Sequence, residues 1–370
     1  MFLQLPSRFS LLLFLTFVFT MCLPRAFAEQ EPNSKSNANP PAATKSGPAL
    51  EKATEYRENF SSLSLRGSTF FPLPPALGQT DDYPQNPFVR ERWQLAWRPA
   101  DPIDLYVCKP RGVAKPPVIL FLYTYPSTTD RFKSDDWCGT ATANGFAAVG
   151  FLSAYTGHRL EMRSPTSTFF TDFQESLGST VHDVQMILDY LNTRGDLDMN
   201  RVGMFGQGSG GSIAILASAA DPRIKALDVL TPWGDWPEFF AKSPFIPKDN
   251  RTKYTSPDYL AKVADLEPLN WLPKVKARSV RIQNVRKSGP MPDLLQEHLE
   301  AAAPETALIN QYGDPAALVP HAAGGAIFDW IRTQLQPEAK TQVAVEKSER
   351  IHFYPAETVN PLPPLGPPNN

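Results

Sequence analysis

Residues 201–219 read RVGMFGQGSGGSIAILASA. Residues 201–205 form a short apolar strand, and residues 206–219 are a Gly/Ser-rich turn opening a helix of small residues. A tight strand–turn–helix brings two backbones close together, which residues without bulky side chains permit. Upstream, Val181, Val184, Ile187, Leu188 and Leu191 recur with helical period over residues 180–193, and residues 196–200 turn the chain into the strand. Residues 118–123 are a continuous apolar run flanked by prolines, as in a central strand buried on both faces. A helical stretch over 133–144 and a strand over 146–152 follow it. Residues 93–97 and 103–107 are antiparallel opening strands around the turn 98–102. Downstream come strands over 224–230, 280–285 and 307–312, with helices over 294–303 and 326–335. Strands alternating with helices predict an α/β fold with a mostly parallel, doubly wound sheet flanked by helices.

The chain has 370 residues, of which 42% are apolar and 20% charged, a globular composition that excludes wholesale disorder. Its 3 cysteines exclude a disulfide-rich scaffold, and neither they nor the 5 histidines fall at zinc-site spacing. No metal or cofactor is expected. The net charge of −2 makes no electrostatic case for nucleic acid. The 38 prolines concentrate toward the ends.

Residues 1–28 read as a signal peptide: Arg8 precedes an apolar run from Leu11 to Leu23, closed by Ala26-Phe27-Ala28. Cleavage before Glu29 predicts a secreted or periplasmic protein with no stable membrane span. Residues 29–87 read as a proline-rich linker whose later part, STFFPLPPALG, is a candidate strap on the domain. The domain is expected over 88–336, with a lid insertion at about 232–278 after the sixth strand. A C-terminal extension, 337–370, holds a possible extra strand at 350–354 and the tail NPLPPLGPPNN.

The segment RVGMFGQGSGGSIAILASA, with the preceding VHDVQMILDYLNTRGDLDMN, resembles the nucleophile elbow of the α/β-hydrolase superfamily, especially its dienelactone-hydrolase-like and prolyl-oligopeptidase-like branches. The resemblance extends over residues 93–335 and implies an α/β-hydrolase fold. An elbow requires small residues two before and two after the nucleophile. Alignment on the strand puts these at Gly206 and Gly210, with Gly211 following, so the nucleophile position falls on Gly208. Glycine suits strained backbone but supplies no attacking oxygen. The other register makes Ser209 the nucleophile, with bulky Gln207 before it; otherwise Ser209 follows the tip, where the backbone N–H lines an oxyanion hole.

A serine triad also needs a base and an acid. The resemblance places the base at His321, before the last helix. His158, His182 and His298 fit worse and read as structural or surface residues. The acid is expected after the strand 280–285, where the chain reads Val285-Arg286-Lys287-Ser288-Gly289-Pro290 without a carboxylate. Asp235, after the preceding strand, is the replacement candidate, against an ordinary turn role. Asp293 reads as a helix cap, and Asp314 as the turn after the last strand. On the oxyanion side, Tyr123-Thr124-Tyr125 stands where this family usually shows a His-Gly pair. Tyr155, Trp233, Trp236 and Phe239, with Tyr123 and Tyr125, are candidate pocket walls or plain packing.

Two functions follow, beside a third reading as a binding or surface-associated protein whose proline-rich tails matter more than its pocket. One is an exported hydrolase-fold protein with an incomplete triad, non-catalytic or weakly catalytic, binding a small molecule such as an ester. The other is an active carboxylic-ester hydrolase using Ser209 and His321. Cys108 and Cys138 are either a disulfide or two buried thiols.

Overall fold

The computed structural model describes residues 57–66, 68–69, 74–98, 101–125, 130–154, 159, 172–287, 291–338 and 340–355. The signal-peptide cleavage site, His158, Tyr155 and the C-terminal tail lie outside them. Ten strands form one sheet in the order β1-β2-β3-β5-β4-β6-β7-β8-β9-β10. The strands are β1 (Leu77–Asp81), β2 (Phe88–Leu95), β3 (Ile103–Pro110), β4 (Pro117–Leu122), β5 (Ala147–Phe151), β6 (Asp198–Gln207), β7 (Ile224–Leu230), β8 (Ser279–Val285), β9 (Leu308–Tyr312) and β10 (Ile351–Tyr354). From β5 through β4 to β10 every pairing is parallel, while β1, β2 and β3 add antiparallel neighbours at the other edge.

The central strands are buried on both faces: β4 and β5 are the unbroken apolar runs that such burial favours, and β8 is buried throughout although it carries Arg281, Gln283 and Asn284. One face packs on helices α1 (Phe173–Asn192) and α2 (Ser209–Ala220), through Leu177, Val181, Val184, Ile187, Ile213 and Leu216. The other holds an aromatic cluster of Phe121, Tyr123, Phe132, Trp137, Phe205 and Phe328. The helix expected at 180–193 starts earlier, at Phe173, because Phe173 and Leu177 continue its buried stripe.

The ordered chain also begins before Phe88. Residues 57–65 lie against α1, with Leu63 only 6% exposed, and Leu77–Asp81 pairs antiparallel with β2 as an edge strand. The backbone donors and acceptors of β2 complete that pairing without needing an apolar run, so composition gave no sign of it. The segment between β7 and β8, read as a lid, folds into short helices, among them α3 (Trp236–Lys242). Its Trp233, Trp236, Phe239, Phe240, Leu266 and Leu272 are part of the main core.

Cys108 on β3 and Cys138 on the helix Asp135–Ala141 form a disulfide, their Cα atoms 5.7 Å apart. Among the described residues, no helix is long and apolar enough to cross a membrane.

Candidate functional site

The sheet reverses its winding around β4, which lies between β5 and β6, and ligands of open α/β sheets bind beyond the carboxyl ends of strands at such a point. There β6 ends at Gln207 and α2 begins at Ser209. Between them Gly208 has φ 56° and ψ −120°, a conformation that costs a non-glycine residue about 1–3 kcal/mol. Gly208 is therefore the tip of the turn. Its flanking glycines follow from close approach. A Cβ on Gly206 would lie 2.7 Å from the Gly210 carbonyl carbon, and one on Gly210 would lie 2.6 Å from that of Leu122. One on Gly211 would meet Pro232 at 2.9 Å.

The tip leaves no room for a side chain. A Cβ on Gly208 would lie 2.6 Å from Thr124 Cβ and closer still to Thr124 Oγ1, with Trp233 Nε1 3.2 Å away. The space beside the tip is filled from the loop after β4 and the loop after β7. Backbone bonds lock the arrangement: Gly208 N–H donates to Leu230 O (3.0 Å), and Trp233 N–H donates to Gly208 O (3.2 Å).

Ser209 is fully buried, and its Oγ accepts the Tyr125 N–H at 2.9 Å. The backbone donor after β4, a candidate oxyanion donor, is thus engaged by a serine of the chain. Ser212, one turn on, donates to Trp233 O at 2.8 Å. Trp233, Trp236 and Phe239 are at most 1% exposed, so they are core residues, while Thr124 and Tyr125 are half-buried. Tyr123 is held by Trp137, whose Nε1 donates to its hydroxyl at 2.8 Å, and burial pushes its phenol pKa up.

The three triad candidates are not joined. Asp235 takes a left-handed conformation (φ 48°) at the start of α3, and its Oδ2 pairs with Nδ1 of His298 at 2.5 Å. His298 lies on α4 (Asp293–Ala302), its side chain 48% exposed. The Asp235 N–H donates to Glu267 Oε1 (2.8 Å) and the Trp236 N–H to Glu267 Oε2 (2.6 Å). Burial raises the Glu267 carboxyl to about 7. His321 sits within a helix, Pro315–Ala322, rather than in a loop. Its ring packs against Tyr312 (5.3 Å between centroids) and Tyr354 (4.4 Å). No hydrogen bond links His321 to Ser209 or Asp235 among the described residues. Asp314 caps that helix, accepting from Ala317 N at 2.8 Å.

Solved structures share the fold of this chain. The chain is similar to an acetyl xylan esterase from Paenibacillus sp. R4, with 17% identity and a TM-score of 0.53, covering 70% of this chain and 89% of that one. It is similar to a 2,6-dihydroxy-pseudo-oxynicotine hydrolase, with 18% identity and a TM-score of 0.52, covering 68% and 69%. An acylaminoacyl peptidase from Pyrococcus horikoshii matches at 15% identity and a TM-score of 0.52, covering 72% of this chain and 44% of that one. The fold is the α/β-hydrolase fold. No family model matches the sequence, and no curated protein does.

Within the α/β-hydrolase fold, β6, Gly208 and α2 form a tight strand–turn–helix, and the loops after β4 and β7 flank it. The loop after β8 contains Arg286, which binds Glu300 at 2.9 Å, and Lys287 in a left-handed conformation. It brings no carboxylate toward the elbow among the described residues. A fully buried acid, Asp228, lies on β7. Its carboxylate accepts Arg281 Nε (3.0 Å) and Nη2 (2.7 Å) and Gln283 Nε2 (2.9 Å), and burial raises its pKa. Among the described residues no cluster of His, Cys, Asp or Glu could hold a metal ion. The Asp235–His298 pair has no local sequence signal, because its members are 63 residues apart on different elements.

Proposed function

We propose that this chain is a non-catalytic α/β-hydrolase-fold protein, exported to an oxidising compartment, that binds an ester or related small molecule without cleaving it by serine chemistry. The observation that carries this reading is the packing at Gly208, where Thr124 and Trp233 occupy the nucleophile's volume. Two further observations support it. Ser209 lies on the helix side of the tip with its oxygen turned to the Tyr125 N–H. Asp235 and His321 are each engaged elsewhere, with His298 and with the Tyr312–Tyr354 pair. A hydroxyl becomes a nucleophile only when a base within hydrogen-bond reach takes its proton. The ligand class rests on the solved neighbours, described as esterases, a hydrolase and a peptidase. Export is supported by the Cys108–Cys138 disulfide, a bond that persists mainly outside the cytosol.

The test compares p-nitrophenyl acetate hydrolysis by the parent, Ser209→Ala and His321→Ala, with covalent labelling by a fluorophosphonate. The expected result is one low rate common to all three and no labelled serine. A parent rate abolished by Ser209→Ala, with the label on Ser209, overturns the reading in favour of an active ester hydrolase. Mature protein recovered from outside the cytosol should start at Glu29, and an intact Met1 on that material overturns cleavage.

A further inference from the structure

Helix α4 buries Leu295 and Leu299 in the core and leaves Leu294, His298 and Ala301 exposed, spaced four and three residues apart along one stripe. The loop after β7 lies directly on that helix, since a Cβ on Gly234 would stand 3.1 Å from Leu299 Cδ2. Asp235, the next residue, is thereby brought beside His298. Its left-handed backbone (φ 48°, ψ 66°) is held from several sides. Glu267 accepts its N–H and that of Trp236, its own carbonyl accepts the Phe239 N–H at 2.8 Å, and its Oδ1 faces the Glu238 N–H at 3.5 Å. Non-glycine residues kept in such a conformation cluster at functional sites.

The remaining oxygen, Oδ2, meets His298 Nδ1 at 2.5 Å. Asp235 is buried, only 8% exposed, while the imidazole stands half in solvent. A carboxylate only accepts, so in the neutral ring Nδ1 carries the proton and Nε2 carries the lone pair. Among the described residues no group meets Nε2. We propose that the Asp235–His298 pair is a nucleophilic centre of its own, in which His298 Nε2 takes the acyl group of an aryl ester and passes it to water.

In the first step the Nε2 lone pair bonds to the acyl carbon. The bond to the phenolic oxygen breaks, and the phenolate leaves with its electron pair. The ring becomes an acyl-imidazolium, and the Asp235 carboxylate at Nδ1–H faces the charge that develops. In the second step a water oxygen bonds to the acyl carbon and the N–C bond breaks, its pair returning to Nε2. The acid leaves as its carboxylate, with both water protons passing to solvent. Leu294, 45% exposed one turn before the ring, and Ala301 after it offer apolar surface to a short acyl chain. His298 is the catalytic residue and Asp235 its positioning residue. This centre lies outside the β6–α2 turn, and it accounts for the low rate expected to remain in Ser209→Ala and His321→Ala.

The experiment treats the full chain with a fluorophosphonate to silence any reactive serine, then follows p-nitrophenyl butyrate hydrolysis. His298→Gln should lose most of the rate that the protein adds to buffer, whereas His352→Gln, on the exposed edge strand β10, should keep it. Asp235→Asn should slow it about tenfold, what one charge-assisted hydrogen bond supplies. A second measurement reads diethyl pyrocarbonate modification at each histidine by peptide mass spectrometry. In the parent His298 should react faster than His352, and Asp235→Asn should slow His298 alone. A role in capping α3 only would leave that reactivity unchanged, because asparagine caps as well as aspartate. A rate retained in His298→Gln, or His298 modified no faster than His352, overturns the centre. A rate removed by the fluorophosphonate, with a serine labelled, overturns both the centre and the proposed absence of serine chemistry, which the other two outcomes leave standing.

Discussion

Replacing Gly208 with serine adds a side chain at the tip of the β6–α2 turn, and the structure argues that the chain will not accept it. Two costs add. The first is backbone: at φ 56° and ψ −120° a residue with a Cβ carries strain of about 1–3 kcal/mol. The second is steric: the new Cβ would stand 2.6 Å from Thr124 Cβ and 3.2 Å from Trp233 Nε1, inside normal contact distance. Overpacking a close-packed site costs about 1–3 kcal/mol. The expected loss for Gly208→Ser is about 2–6 kcal/mol, read by urea denaturation and as a Tm drop of about 2–4 °C for each kcal/mol. The two costs separate in a double-mutant cycle. Thr124→Gly removes both Thr124 contacts and leaves the backbone strain, so Gly208→Ser should cost less on that background, with a coupling of at least about 1 kcal/mol. Thr124→Ala keeps the Cβ and should relieve less. The reasoning is refuted if Gly208→Ser unfolds within about 0.5 kcal/mol of the parent, the range of an ordinary surface change. It is also refuted if that single variant hydrolyses p-nitrophenyl acetate through a labelled Ser at 208, which would mean the space and the base are already present.

Three other outcomes are expected. Cys108 and Cys138 close a loop with a sequence separation of 30, so Cys108→Ala/Cys138→Ala should lose about 3–4 kcal/mol by denaturant titration, with no further loss on adding reductant. Asp228→Asn leaves Arg281 buried without its carboxylate and should lose about 3–5 kcal/mol, whereas replacing both residues by apolar ones of similar volume should recover much of that loss. Burial raises Glu267 from 4.5 to about 7, so the folded chain holds this proton at pH values where the unfolded chain has released it. Its contribution is then full below about 4.5 and lost as pH rises to about 7, on the order of 3 kcal/mol in all. In Glu267→Gln the slope of stability against pH between about 5 and 7 should flatten even though the variant is weaker overall; an unchanged slope would assign the titration to another group.

The alternation of strands and helices is written in local pattern, and β4, β6, β7 and β9 fall close to the positions their apolar runs predict. The elbow is legible for the same reason. Gly206, Gly208, Gly210 and Gly211 lie within six residues, and each is required by backbone contact or a positive φ. Edge strand β1 was not legible, because LGQTD has no apolar periodicity and its pairing depends on β2. His298 was not either: on α4 it reads as one polar residue among several on an exposed face.

The sequence by itself determined the class of fold and put a glycine at the tip of the turn between β6 and α2, because both depend on residues close together in the chain. Tertiary structure decided what that glycine means. Thr124 and Trp233, brought by two other loops, fill the space beside it. Tyr125 reaches Ser209 across 84 residues, Asp235 finds His298 across 63, and Glu58 finds His182 across 124. Hydrogen bonds and steric exclusion act over a few ångströms, so side chains that far apart in sequence acquire partners only once the sheet has brought their elements together.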